Sequence, residues 1–394
     1  MKRRVLDNGK AEGVRKIKRF EKYCLKDIAT VSQGFTFSRL YQGKKNLKWN
    51  YFKVADIGLN PNSKYLTNAI NTISDITMEE IGALPFPKGS IVFPRVGAAL
   101  FNNNKKILAQ DGVVDDNVLV LTVTDTSKCW YEFLYYYLQG IPLAKWCNSG
   151  LVPVINTKTV LSQMVFLPPL PEQQKIAAIL STQDKVIELK EKLLVQKQQR
   201  KRYLMQQLLT GKKRLPGFNG EWQFVKLENV SKYSASAASF KTYESHLGCG
   251  PYPVYDATGC FGNIDFYENE QPYISIVKDG AGAGRVALCK AKSSTIGTLG
   301  CIFANDIDLL YLFYWMSAVD FQIYSNGSTI PHVYYKDYKN VQVHLPCRLE
   351  QEAIVEILST ADHEIDLLQK SIEAEKQKKK ALMQLLLTGK VRVK

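Results

Sequence analysis

Histidine is scarce in this 394-residue chain, cysteine is scattered, and acid falls well short of base. The four histidines, His246, His332, His344 and His363, stand at no metal-ligand spacing, and His363 falls in a helical stretch that suits a surface or seam position. The eight cysteines form no CxxC pair, and no histidine cluster accompanies Cys249 and Cys260. Neither a zinc centre nor a disulfide framework is indicated; buried thiols in a reducing cytoplasm fit better. There is no P-loop, so no ATP motor is expected in the chain itself. An amino-methyltransferase would need an Asn/Asp-Pro-Pro-aromatic motif, and LPPLP at Leu167 lacks its polar and aromatic ends. No catalytic set emerges. The longest apolar run, residues 309–319 between Asp308 and Asp320, is too short to span a bilayer. The start, MKRRVLDNGKAEGVRKIKRF, is basic without an apolar core, which argues against a signal peptide.

What is present is base. The 52 Lys and Arg against 37 Asp and Glu give a net charge of +15. Such an imbalance points to a polyanionic partner, nucleic acid first among them. A hydrophobic content of 45% is that of a folded protein, and the length suits two domains with their own cores.

The chain also contains itself twice. LPPLPEQQKIAAILSTQDKVIELKEKLLVQKQQRKRYLMQQLLTGK from Leu167 returns as LPCRLEQEAIVEILSTADHEIDLLQKSIEAEKQKKKALMQLLLTGK from Leu345, without a gap, at a spacing of 178 (345 less 167). At the same spacing FLYYYL from Phe133 matches YLFYWM from Tyr311, and Pro153, Ile155 and Lys158 match Pro331, Val333 and Lys336. Further upstream, LKDIA at Leu25 resembles LENVS at Leu227, 202 apart (227 less 25). The first copy is thus longer, mostly between Ala29 and Ser90. The expected organisation is a basic segment 1–19, a variable domain 20–166, a near-constant helix 167–211, a linker 212–220, a second variable domain 221–344 and a second helix 345–394. The variable domains read as α+β. WNYFKVADI around Tyr51, GSIVFPRVG around Ile91, NVLVLTV around Val118 and PYISIVKDG around Ile274 are strand-like, with one short helix near Phe133 or Tyr311.

The repeated stretches carry a helical stripe. Ile176, Leu180, Ile187, Leu194, Leu204 and Leu208 recur as Ile354, Leu358, Ile365, Ile372, Leu382 and Leu386. Spacings of seven, three and four make a narrow coiled-coil seam, interrupted by Lys190, Lys197 and Lys201. Pro171 and Glu172 suit a first turn, and Gly211 and Gly389 suit the helix ends. Roughly 40 residues at ~1.5 Å each make rods of about 60 Å, which need a partner along the stripe. Each copy is the obvious partner of the other. Antiparallel pairing would relate the halves by an intrachain pseudo-twofold axis and suit duplex DNA, whose readers address half-sites about 34–36 Å apart. Because the two readers differ, the expected target is bipartite and asymmetric.

These residues resemble the specificity subunit of bacterial type I restriction-modification systems. The resemblance runs from about Tyr23 onward and rests on LPEQQKIAAIL at Leu170, LMQQLLTGKKRLPGF at Leu204, EW at Glu221, LEQEAIVEIL at Leu349 and LMQLLLTGK at Leu382. It implies two target recognition domains on paired spacer helices, which dock two DNA adenine methyltransferase subunits and are joined by motor-nuclease subunits. S-adenosylmethionine, ATP and Mg²⁺ would then be used on those partners, with double-stranded DNA as the ligand of this chain. Cys347, Arg348 and Leu349 replace Pro169, Leu170 and Pro171, a departure expected to alter the start of the second helix. A stand-alone DNA-modifying enzyme and a coiled-coil adaptor are the alternative readings.

Candidate DNA contacts come from loops. GFTFSR offers Thr36, Ser38 and Arg39; KYSASAASFK offers Ser234 and Lys241. Arg95 with Gly97, and the loop of Lys278, Gly280, Gly282 and Arg285, occupy matching places. VALCKAK after GAGAGR reads as a strand, so the loop is not a dinucleotide turn. Asn102, Asn103, Asn104, Lys105 and Lys106 mix amides that suit adenine with cations that suit guanine or phosphate. NSGLVPVI at Asn148 and SNGSTIPHV at Ser325 read chiefly as fold-defining turns. Lys197, Arg200, Lys201, Arg202 and Lys376 to Lys380 suit phosphates, a solubilised helix or an acidic partner equally.

Overall fold

The computed structural model describes residues 20–59, 63–148, 150, 152–327 and 330–393. The basic segment 1–19 lies outside them, as do Ser149, Leu151, Ser328 and Thr329 of the two turn-like loops. The chain divides into two compact units, Met1–Lys192 with Ser371–Lys394, and Leu193–Lys370. The division cuts through both long helices, so each unit holds one variable domain and half of each rod.

In the first unit, strands β1 (Ala29–Gln33), β2 (Ile91–Pro94), β3 (Lys106–Leu108) and β4 (Val118–Val123) pair in the order β1-β4-β2-β3, and Tyr65–Leu66 joins β3 in parallel. Strand β4, VLVLTV, is rich in valine and buried over its first four residues, as a strand covered on both faces must be. Helix α1 (Tyr131–Gln139) brings Phe133, Leu134 and Tyr136 against Phe93, Leu119 and Leu121. Ile176, Ala177, Leu180, Leu386 and Leu387, from both rods, complete that core. The surplus of the first copy folds into short strands and helices between β1 and β2. There the expected strand around Tyr51 is only half right. Trp49–Phe52 is a strand, but Val54–Leu59 is helical, because Asp56 accepts from the amides of Lys53 (2.7 Å) and Ile70 (2.8 Å) and turns the chain.

The second unit repeats the plan. Strands β5 (Ser231–Ser234), β6 (Tyr273–Val277), β7 (Val286–Cys289) and β8 (Leu299–Ala304) pair in the order β5-β8-β6-β7. Helix α2 (Leu309–Ala318) packs Tyr311, Leu312 and Trp315 into a core with Ile274, Ile276 and Ile302. Ile354, Leu358, Leu208 and Leu209 close it from the rods.

The rods are Leu170–Leu208 and Arg348–Leu386, each 39 residues. Leu170 and Arg348 stand at equivalent repeat positions, so Cys347, Arg348 and Leu349 do not move the helix start. The reason is a backbone one: Pro169 O accepts from Glu172 and Gln173, and Cys347 O accepts from Glu350 and Gln351, whatever the side chains. Within each unit the helices run antiparallel. In the first, Lys190 bonds Ser371 and Glu375 (both 2.8 Å), while Lys379 meets Asp184 at 2.5 Å. In the second, Lys197 meets Glu364 (2.7 Å) and Lys201 meets Asp362 (2.5 Å). The three lysines that break the apolar stripe are therefore cross-helix ion-pair partners. Among the seam residues Ile176, Leu180, Ile187, Leu208, Ile354, Leu358, Ile372 and Leu386 are buried, and Leu194, Leu204, Ile365 and Leu382 are half-buried. His363 is exposed. Both rods end alike: Gly211 (φ 70°) and Gly389 (φ 72°) are left-handed, Lys213 N reaches Gln207 O, and Val391 N reaches Leu385 O (both 3.1 Å). No helix among the described residues is long and apolar enough to cross a membrane.

Candidate nucleic-acid interface

In each unit the sheet delivers its loops to one place. In the first, the GFTFSR loop leaves β1 at Gly34, where a Cβ would fall 2.3 Å from the carbonyl oxygens of Val114 and Asp115. Only glycine allows that approach. Phe37 stacks on Tyr51 with ring centres 3.9 Å apart, and the Tyr51 hydroxyl donates to Phe35 O. Burial pushes the Tyr51 phenol well above its ordinary value, so it remains a donor. With its phenylalanines turned inward, the loop leaves Thr36, Ser38 and Arg39 exposed. Thr36 donates to Asp116 (3.2 Å), and Arg95 Nη1 donates to Asp116 O (3.4 Å). Gly97 N reaches Pro153 O and Ile155 N reaches Arg95 O, joining the NSGLVPVI loop to the group.

The second unit assembles the matching loops. Gly297 N donates to Ala238 O (2.7 Å), Lys278 N to Thr298 O (2.8 Å), Gly280 N to Pro331 O (3.0 Å) and Val333 N to Lys278 O (2.8 Å). These bonds tie the Lys278 and Gly280 loop, which also holds Gly282, to Thr298 and Pro331, and tie Gly297 to Ala238, with Arg285 exposed where the loop enters β7 and Ser234 exposed at the end of β5. Lys241 is exposed on the short helix Phe240–Glu244 nearby in sequence. GAGAGR joins two strands, β6 and β7, as its neighbours imply. Both turn-like loops before the rods are tied by backbone bonds, as fold-defining turns should be. One position differs in kind between the units. The isolated bridge Val96↔Val154 is apolar, whereas at Asp279↔His332 the imidazole Nδ1 and a carboxylate oxygen stand 2.7 Å apart.

The NNNKK run belongs elsewhere. Asn102 is exposed and Asn104 half-exposed, but Asn103 accepts from Lys105 (2.6 Å) and from Leu143 N (2.9 Å). Lys105 and Lys106 are each only 2% exposed; Lys105 donates to Ile141 O and Lys106 to Ser63 O. Their ammonium groups face inner carbonyls, which corrects the expectation that they contact DNA. A run of polar letters gave no sign that β3 would carry them inward. The helix lysines are corrected in part: Lys197, Lys201, Lys376 and Lys379 are engaged by Glu364, Asp362, Glu191 and Asp184, while Arg200 and Arg202 are exposed. The expected buried thiols hold for Cys129, Cys289 and Cys301, but Cys249, Cys260 and Cys347 are exposed. Among the described residues no His, Cys, Asp or Glu cluster suits a metal.

What sequence reading missed is the job of the EQ pair. Glu350, 1% exposed at the side chain, takes two hydrogen bonds from Arg214 (2.7 and 2.8 Å) and one from Trp222 Nε1 (2.9 Å). Glu172 takes two from Arg392 (2.8 and 2.6 Å), whose guanidinium lies over the Phe20 ring. Gln173 and Gln351 accept from Trp130 N and Asp308 N (both 2.8 Å) and so fix the start of the short helix in each unit. The motif locks each variable domain to its rods. Its signal was present in sequence, since Arg214 and Arg392 obey the same spacing as Glu172 and Glu350.

With the loops and rods placed, the comparisons with other proteins are consistent with one class of molecule, an α+β DNA reader on paired helices. The family model described as type I restriction modification DNA specificity domain matches residues 17–196 and 219–376. The chain belongs to that family, and it is a type I specificity subunit with DNA-recognition domains. It is similar to the candidate specificity subunit of type I restriction enzyme MjaX of Methanocaldococcus jannaschii, 25% identical over 94% of this chain and 93% of that one. The MjaVIII specificity subunit of the same organism is 27% identical over 62% and 65%. In fold it resembles the type I restriction-modification S subunit from M. genitalium, with TM-score 0.63 and 14% identity over 95% and 97% of the chains.

Proposed function

We propose that each unit reads one half of a split, asymmetric DNA site through its converged loops, and that the rods set the unread spacer. The carrying observation is the pair of matching loop clusters, around Arg95 and around Lys278, built on sheets of the same strand order but lined by different side chains. Equal scaffolds with unequal loops suit two half-sites that differ. Phosphate contacts from Arg39, Arg95, Lys241 and Arg285 would supply register, and polar side chains of the same loops would supply base readout.

We further propose that the chain is non-catalytic in a cytoplasmic complex. Two adenine methyltransferase subunits would dock on the rods, and restriction subunits would join them. S-adenosylmethionine, ATP and Mg²⁺ would be used by those partners. The test is single-molecule sequencing of DNA methylated by the chain with its methyltransferase partner. Methyladenine is expected on opposite strands of a bipartite motif. Exchanging residues 30–160 for those of a relative is expected to change one half only. A change in both halves would overturn the assignment of one unit to one half-site, and modification by the chain alone would show an enzyme.

A further inference from the structure

We propose that the first unit holds a binding site for a small free oxyanion, of phosphate size and charge, in a cavity between β3 and the rods. The cavity, of about 220 Å³, is lined by Lys64, Lys105, Lys376 and Lys379, with Asp184 and Tyr135 among its other walls. The side chains of four lysines thus border one small space. Three of them have carboxylates to answer them: Lys64 meets Glu132 at 3.1 Å, Lys376 meets Glu191 at 2.8 Å and Lys379 meets Asp184 at 2.5 Å.

Lys105 is different. It is 2% exposed, and its ammonium donates only to neutral oxygens, Asn103 Oδ1 (2.6 Å) and Ile141 O (2.9 Å). Among the described residues it makes no ion pair. A buried charge is normally paired or neutralised. Here burial pushes the Lys105 ammonium down to about 7, so near neutrality it is poised between its two forms. Neighbouring Lys106 is pushed down to about 8, by burial first and by Lys379 second. An anion in the cavity would give Lys105 its missing counter-charge and hold its proton. Lys376, the most exposed of the four, stands where the anion would enter. In the second unit the strand matching β3 is VALC, residues Val286–Cys289, and carries no lysine. The site therefore belongs to one half of the molecule and is independent of how DNA is read.

Inorganic phosphate is the probe. The full chain is titrated by calorimetry in two buffers of different ionisation enthalpy at constant ionic strength. One saturable site per chain in the roughly millimolar range is expected, with proton uptake near pH 7 read with sulfate, which does not itself titrate there. Affinity is expected to fall by up to about tenfold per pH unit between pH 7 and 9, because Lys105 must then be reprotonated. Phosphate gains negative charge over that range, so its own titration does not weaken binding. Lys376→Gln is expected to weaken binding about fivefold or more, and Lys105→Met to abolish proton uptake. If Lys105→Met does not fold, the ammonium resonance of Lys105 in the unaltered chain is followed instead, and phosphate is expected to raise its titration midpoint. Sulfate is expected to compete. No saturable binding, no competition by sulfate, or binding indifferent to both substitutions overturns the site.

Discussion

Arg392 grips Glu172 through two hydrogen bonds, Nε to Oε1 at 2.8 Å and Nη2 to Oε2 at 2.6 Å, so the last turn of chain closes on a helix start 220 residues earlier. The pair Arg214 and Glu350 does the same in the other unit. Each clamp joins the segment just past the end of one rod to the first turn of the rod beside it. An antiparallel arrangement held in this way keeps each rod end registered on its recognition domain. That is what the proposed reading of DNA by two loop clusters at fixed positions would require.

The clamp predicts an asymmetric mutational response. Glu350→Ala leaves a guanidinium and the Trp222 indole N–H without an acceptor, and Glu350 itself is deeply buried. A loss of about 3 kcal/mol in unfolding free energy is expected, measured by urea denaturation. Glu350→Gln retains an oxygen acceptor and is expected to lose less. Equal losses for the two variants would mean that packing, not hydrogen bonding, sets the effect.

Acid should loosen the rods in the first unit. Hydrogen bonding from the Lys190 ammonium, then from Gln183, holds the Glu375 carboxyl down to about 2. Arg392 holds Glu172 below its ordinary value in the same way. A carboxylate depressed in the folded state stabilises above its unfolded value, about 4.3, and that contribution drains away as pH falls toward the folded value. Helical ellipticity in urea between pH 6 and 3 is expected to show declining stability, with a shallower decline for Glu375→Gln. Stability that rises on acidification would contradict the pairing.

The loop clusters predict separable effects on DNA. Arg95→Ala is expected to impair or relax methylation at one half-site, and Lys278→Ala with Arg285→Ala at the other. Removing one phosphate-binding cation should also reduce the salt dependence of binding by about one unit of slope. Lys105→Met and Lys106→Met are expected to leave the recognised motif unchanged, since both side chains point inward. Methylation sequencing at matched enzyme levels distinguishes these cases.

Much of this architecture was legible in the letters. The rods and their ends followed from a stripe and two glycines, because helical periodicity and left-handed φ are local properties. The strand order followed less readily, but β4 and β6 announced themselves through β-branched runs. What escaped was direction. NNNKK looks solvent-facing, yet Lys106 lies in β3 opposite Val92 of β2, and that pairing, set by tertiary register, turns it inward. The Tyr–Asp–Lys contacts were equally hidden. Tyr136 donates to Asp184 (2.6 Å), which Lys379 also meets, and Tyr314 donates to Asp362 (2.8 Å), which Lys201 meets. All six residues are duplicated in the sequence, but they come together only once the helices pair.

The glycines that end the rods allow a sharper test, because the same substitution meets different surroundings. Gly211, Gly389 and Gly217 all have positive φ, at 70°, 72° and 91°. Alanine at any of them must enter a left-handed conformation, at roughly 1 kcal/mol. At Gly217 that is the whole effect, for nothing lies within 4 Å of a new Cβ. At Gly211 a Cβ would stand 3.3 Å from the Trp222 ring, and at Gly389 it would stand 3.1 Å from the Phe20 ring. Those rings flank Arg214 and Arg392, so displacing either one disturbs a clamp. Gly217→Ala is therefore expected to lower stability by about the backbone term alone. Gly211→Ala and Gly389→Ala are expected to lose more, and Gly389→Ala most, as its contact is the closer. Prior removal of Glu350 should shrink the excess at Gly211 without altering that at Gly389, because each glycine acts through its own clamp. Denaturation of the single and double variants measures this coupling directly, and an unchanged excess at Gly211 in the absence of Glu350 would place the effect in ring packing instead of in the clamp.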